Sequence, residues 1–115
     1  MGVFTLESLK GLDFIQTAYV GKDNPISVVL KEDGVEYDYS TAKTVRCKIG
    51  AVTLDSDSDA TNFDRTEAET GKLQVFIGDQ NIEPKTYNVK VEIVTVDDHV
   101  FYFGHVKVRV ENPGI

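Results

Sequence analysis

Cysteine occurs once in this chain, at Cys47, methionine once and tryptophan not at all. A single thiol makes no intrachain disulfide and no thiolate metal cluster, a pattern that suits maturation in a reducing cytoplasm. Cys47 sits between Val45 and Ile49 in an alternating run, with neither His99 nor His105 near it in sequence. It reads as a small buried core residue rather than a nucleophile. No apolar run is long enough to span a bilayer as a helix. The opening Met1-Gly2-Val3-Phe4-Thr5-Leu6-Glu7 has no basic region ahead of an apolar one, so neither a membrane contact nor an export signal is expected.

Positive charge is scarce as well. Twelve Lys and Arg stand against 19 Asp and Glu, a formal net charge of −7, and the cations are dispersed along the chain without a basic run. Nucleic-acid affinity comes mainly from clustered Lys and Arg, so nucleic acid is not expected as a partner. A Gly-rich phosphate loop, G-x-S-x-G and H-E-x-x-H are all missing. Carboxylates are plentiful enough to pair by chance, so their pairing alone marks no hydrolase. No catalytic residue, cofactor or metal is assigned, and the chain reads as a non-enzyme.

Two near-motifs fall short. Asp55-Ser56-Asp57-Ser58-Asp59 spaces three carboxylates as a calcium loop would, but Ala60 stands where that loop needs Gly. Thr66 stands at its position for a bidentate Glu, and Glu67 comes one place late. His99 and His105 lack a carboxylate at ligand spacing and read as surface residues.

What the sequence does have is alternation. Ile26, Val28 and Leu30 share one face of a run; so do Val45, Cys47 and Ile49, and Leu73, Val75 and Ile77. Tyr87, Val89, Val91 and Ile93 form a fourth run, and Val106, Val108 and Val110 a fifth. Period-two apolar positions mark half-buried strands, and the turn-formers between them separate one strand from the next. Weaker strands are expected over 14–20, 35–39 and 51–55, and a mobile loop over 55–70. With 41% hydrophobic and 27% charged residues, disorder is not expected. The fold class that follows is all-β: an immunoglobulin-like antiparallel β-sandwich of seven or eight strands. Residues 1–13, where Leu6, Leu9 and Leu12 mix with Gly11, are expected to be a short N-terminal arm, and 14–115 a single sandwich domain.

The last hairpin has a preferred register. If Asp97-Asp98 is a two-residue loop, Val91 lies opposite Gly104, Val89 opposite Val106 and Tyr87 opposite Val108, all on one face. The same register puts Val94, Val96, Phe101 and Phe103 together at the apolar end of the outward face. Monomers rarely leave such patches wet. Either the N-terminal segment or a long loop packs over these four, or they are a contact with another subunit. They are the candidate interface.

The order of segments over residues 22–111 resembles a known family. It runs through Ile26-Ser27-Val28-Val29-Leu30, the Lys31-Glu32-Asp33-Gly34 hairpin, Tyr37-Asp38-Tyr39-Ser40 and Ala42-Lys43-Thr44-Val45. It continues through Gly71-Lys72-Leu73-Gln74-Val75 and Ile82-Glu83-Pro84-Lys85-Thr86-Tyr87 to Val106-Lys107-Val108-Arg109-Val110. This is similar to the immunoglobulin-like N-terminal domain of phage baseplate upper proteins and to related small β-sandwich modules of tailed-phage virions. The resemblance implies a virion structural protein, as head decoration, collar or tail/baseplate adaptor. Made in the host cytoplasm, it would assemble with capsid, collar or tail subunits and form a homo-oligomer. The alternative is a carbohydrate- or host-surface-binding module. Without tryptophan, Tyr19, Tyr37 and Tyr39 are its only available stacking platform.

Overall fold

The alternating runs become strands in the computed structural model, which describes residues 2–9 and 15–114. In chain order they are β1 (Phe4–Ser8), β2 (Gln16–Tyr19), β3 (Ile26–Glu32), β4 (Val35–Glu36) and β5 (Thr44–Ile49), followed by β6 (Val52–Asp55), β7 (Phe63–Asp64), β8 (Lys72–Val75), β9 (Thr86–Val94) and β10 (Val100–Glu111). One sheet has the order β1-β3-β8-β7, with β4 paired to β3; the other has the order β2-β10-β9-β5-β6. That arrangement of two sheets is an immunoglobulin-like sandwich. Among the described residues it has ten strands rather than seven or eight, because β4 and β7 are two-residue pairings. The expectation of a purely antiparallel fold is corrected at one place, where β2 runs parallel to β10.

Inward positions of the alternating runs meet between the sheets. Val28, Leu30, Leu73 and Val75 from one face pack with Val45, Cys47, Val89, Val91 and Val108 from the other, each 1% exposed or less. At the start of β9 the Tyr87 hydroxyl donates to the Glu83 carbonyl at 2.6 Å. This is the tyrosine corner of such sandwiches, in which a disulfide-bearing member would have its second cysteine two residues on. Here that position is Val89, 1% exposed. Apolar packing between the sheets stands where a covalent crosslink would.

Residues 4–8, expected in a separate arm, are instead a strand of the sandwich, with Phe4 opposite Glu32 and Ser8 opposite Val28. Buried Leu6 and Ser8 alternate with Thr5 and Glu7, but five residues beside leucines at helical spacing do not declare a period. The remainder of the expected arm, 10–13, lies outside the described residues. β1 belongs to one sheet and β2 to the other, and Gln16 joins them. Its amide Nε2 donates to the Ser27 carbonyl and its Oε1 accepts from the Ser27 N–H, both at 2.7 Å. The Leu9 N–H donates to the same Ser27 carbonyl at 3.1 Å, so the Gln16 side chain completes the last rung of β1 on β3 from a strand that belongs to the opposite sheet.

The final hairpin departs from expectation twice, and the departures cancel. Its loop has three residues, Val96–Asp98, closed by the Thr95 N–H on the His99 carbonyl at 2.9 Å, with Asp98 left-handed at φ +62. Near the tip, Val100 therefore pairs with Val94, Phe101 with Ile93 and Tyr102 with Glu92. A β-bulge between Tyr102 and Gly104 then takes up one residue, and Gly104 at φ +101 supplies a backbone that favours glycine. From there the expected pairs return: Val91 with Gly104, Val89 with Val106, Tyr87 with Val108.

The bulge also corrects the candidate interface. Phe103 is 0% exposed and Phe101 is half-buried. Phe4 of β1 packs on both rings, at 4.8 Å from Phe103 and 5.0 Å from Phe101, while Tyr37 lies 5.1 Å from Phe103. Val94 is buried at 6%, and Val96 alone of the four is well exposed, at 68%. Phe4 of the N-terminal segment, one of the covers considered from the sequence, lies on Phe101 and Phe103 with Tyr37 beside it, and it acts from inside the sandwich.

The polar stretch 55–70 is folded rather than loose. It contains β7 and two single-turn 3-10 segments, with Asn62 and Ala68 buried. The Asn62 amide donates to the Phe76 carbonyl at 2.7 Å and to the Asp79 carboxylate at 2.8 Å.

Two stability measurements follow. Phe103→Ala should lower the unfolding free energy by about 3–5 kcal/mol, as truncation of a buried ring does, and leave the association state alone. Gln16→Ala should cost about 1–3 kcal/mol, because the Ser27 N–H loses its partner. Urea unfolding of each variant reads both values. A Phe103 variant of wild-type stability would contradict the bulged register.

Candidate functional site

The outer face of the β2-β10-β9-β5-β6 sheet is a grid whose rows are set by strand register. The row nearest the hairpin tip holds Thr44, Val94 and Val100, one residue each from β5, β9 and β10. Asp57 closes it by accepting from the Thr44 hydroxyl at 2.7 Å. The next row reads Asp55, Arg46, Glu92, Tyr102 across β6, β5, β9 and β10. Arg46 is held between two carboxylates here, at 3.1 Å from Glu92 and 3.5 Å from Asp55. Tyr102 flanks it, turned outward by the bulge and 52% exposed.

The following row changes character. Thr53, Lys48, Lys90 and His105 lie across the same four strands. Beyond them Asn88 faces Lys107, and then Thr86 and Thr17 flank Arg109 on either side. Lys85, just before β9, places its ammonium 5.3 Å from the centre of the Tyr87 ring. None of these positions is a carboxylate. Among the described residues, Lys48, Lys85, Lys90, Lys107 and Arg109 form no ion pair, whereas Lys31, Lys43, Arg46 and Lys72 each do. A shallow concavity of about 390 Å³ lies among Lys48, Lys85, Lys90, Thr86, Asn88 and Tyr87. The cations that look dispersed along the sequence are therefore gathered by the fold. The signal was their period: Lys90, Lys107 and Arg109 occupy outward positions of alternating strands. Their convergence with Lys48 becomes visible only once β5 is known to pair with β9.

Other sequence-singled residues behave as follows. Asp55 and Asp59 turn oxygens toward their own loop, Asp55 Oδ1 accepting from the Asp57 N–H at 2.8 Å and Asp59 Oδ2 from the Asp55 N–H at 3.0 Å, while Asp57 Oδ2 is taken by the Thr44 hydroxyl of β5. Among the described residues no three His, Cys, Asp or Glu side chains converge as a metal site. His99 stacks edge-on against Phe101 and is remote in register from His105. Cys47 is fully buried, and burial pushes its thiol up to about 12, so it holds no thiolate near neutral pH. Tyr39 is 1% exposed, its hydroxyl donating to the Lys72 carbonyl. Burial also drives that phenol's pKa upward. Tyr37 is packed among Phe4 and Phe103. Tyr19 lies on β2, at the edge of the sheet that carries the cationic rows, paired with Glu111. The three tyrosines form no shared stacking surface.

Lys48 and Lys90 stand directly opposite one another, an arrangement of like charges that costs stability. Lys90→Glu should therefore raise the unfolding free energy, by about 0.2–1 kcal/mol. The gain should shrink at high salt. Paired thermal melts at low and high salt check the sign, and a loss of stability at low salt would show that the two ammonium groups do not repel.

No protein-family model matches the sequence, and no curated protein matches it. Among solved structures, the chain is similar to part of an endo-β-1,4-mannanase from Thermotoga petrophila. The TM-score is 0.53 at 11% identity, covering 97% of this chain and 20% of that one. The chain thus spans about a fifth of that enzyme's length. Fibronectin(III)-like modules of Clostridium thermocellum CbhA are matched at a TM-score of 0.47 and 15% identity over 93% of each chain. At such identities the likeness to the mannanase segment concerns the fold alone, and the fold is a two-sheet β-sandwich of immunoglobulin-like type.

Proposed function

We propose that this chain is a non-enzymatic structural protein of a tailed-phage virion, in head decoration, collar or tail/baseplate adaptor position, acting by binding other virion subunits. The observation that carries the reading is the strip the bulge leaves outside. Val96 is 68% exposed, and Val100 and Tyr102 are each 52% exposed, at and beside the tip of the final hairpin. Large apolar side chains gathered at a hairpin tip and the adjoining end of a sheet face suit contact with another protein, and tyrosine is enriched where such contacts carry most energy. Burial of the Cys47 thiol and the internal use of the Asp55–Asp59 oxygens support a role without chemistry. The segment order from 22 to 111, similar to small sandwich modules of tailed-phage virions, supplies the specific setting.

The test uses particles. Mass spectrometry of purified parent virions should find the protein at stoichiometric copy number. Val100→Ser with Tyr102→Ser should keep the wild-type melting temperature and reduce incorporation about tenfold or more, the equivalent of about 1.4 kcal/mol. Particles that lack the wild-type protein, or that take up the variant at the wild-type level, would overturn the reading.

A further inference from the structure

The cationic half of the sheet face has a cost and no internal use. Lys48 opposes Lys90, and Lys90 in turn opposes His105. One row away, the same sheet neutralises a single arginine with two carboxylates. The chain carries 19 acidic residues, yet none stands among the outward positions of these rows. Unmatched cations held together on a rigid sheet fit an anionic partner supplied from outside.

The shape of the patch says which anion. Strand spacing sets the cations about 5 Å apart across the sheet and about 7 Å apart along a strand. The array is fenced. Asp55 and Glu92 close it in the row above, and Glu111 follows Arg109 on β10 at the other end. A long polyanion laid across this face would run over carboxylates on both sides, and the protein as a whole carries −7. Single-stranded nucleic acid also needs aromatic faces for its bases. The exposed ring Tyr102 borders Lys48 and Lys90 but stands in the row of Glu92, and the Tyr87 ring in the concavity is half-buried, covered by Lys85 and tied through its hydroxyl to the Glu83 carbonyl. Four of the five cations, Lys48, Lys85, Lys90 and Lys107, are lysines, compact point charges that meet anionic oxygens singly. Beside them Thr86 and Asn88 offer a hydroxyl and an amide in the same concavity. We propose that this half-face binds a compact acidic segment of another protein subunit, its carboxylates received by Lys48, Lys90, Lys107 and Arg109. The proposal deepens the assembly reading and rests on it for the nature of the partner, but it concerns a surface separate from the Val96–Val100–Tyr102 strip.

Hexaglutamate is the probe. In a titration of the isotope-labelled protein at low salt, it should shift the backbone resonances of Lys48, Asn88, Lys90, Lys107 and Arg109. Its affinity should fall roughly tenfold when the salt is raised about fivefold, as for exposed charges. Lys48→Gln with Lys107→Gln should abolish the shifts at a melting temperature no lower than that of the wild type, since it also relieves the Lys48–Lys90 repulsion. A short DNA duplex is the competitor. Binding of the duplex to the same residues as tightly as the peptide, peptide shifts confined to other residues, or no shifts at all would each overturn the proposal. So would a wild-type oligomer, seen by sedimentation, that the double variant dissolves, because the occupant would then be a second copy of this chain. Peptide binding is measured on the isolated protein, so its failure leaves the hairpin-tip contact standing, and absence from virions leaves the peptide result standing.

Discussion

One residue too many in β10 organises the rest of this sandwich. A three-residue hairpin loop displaces β10 by one position relative to β9, and the bulge before Gly104 restores it. Between loop and bulge the side chains point the opposite way from a continuous strand. Phe101 and Phe103 therefore enter the core, and Tyr102 and Val100 come out. The aromatic cluster of Phe4, Tyr37, Phe101 and Phe103 exists because of that inversion. It in turn draws the N-terminal strand onto the sandwich. A bulge at a sheet position that re-aims side chains is a feature with a role, not an irregularity.

Much of this was legible in the residues, for reasons that can be named. Strands β3, β5, β8, β9 and β10 each repeat an apolar residue at period two for long enough to be read, and the register from Val91 to Val108 follows from matching those periods. β1 and β7 were not legible, one being too short beside helically spaced leucines, the other two residues inside a polar stretch. The bulge did leave a trace. Phe101 and Phe103 occupy odd positions and Val106, Val108 and Val110 even ones, and the change of parity falls across a glycine. Within one strand such a switch means an inserted residue. Read without it, the same residues suggest an apolar surface where the molecule has a fully buried phenylalanine.

The candidate surfaces were harder to see than the core, because they depend on which strands are neighbours. A buried residue is marked by its own apolar side chain, but a charge means little until its cross-strand partner is known. Lys48 and Lys90 are 42 positions apart in the chain and adjacent only through the pairing of β5 with β9. The contrast with Arg46 is instructive. A shift of one row along the same strand turns an arginine with two acidic neighbours into a lysine with none. The outer face thus carries, side by side, an apolar tip, a neutralised ion-pair row and an unmatched cationic half, all on one rigid sheet.

The parallel pairing of β2 with β10 has a mechanical meaning. Gln16 through Tyr19 lie alongside Val108 through Glu111, both strands running the same way. The strand near the start of the chain and the strand near its finish are thus tied directly to one another. A tension that enters β2 from its N-terminal side and leaves β10 from its C-terminal side pulls these strands past each other along their length. All four residue pairs then resist in shear at once, where strands peeled from one end would yield bond by bond. The Gln16 amide, fastened to Ser27 on the opposite sheet, sits at the first of those pairs and would have to let go with them.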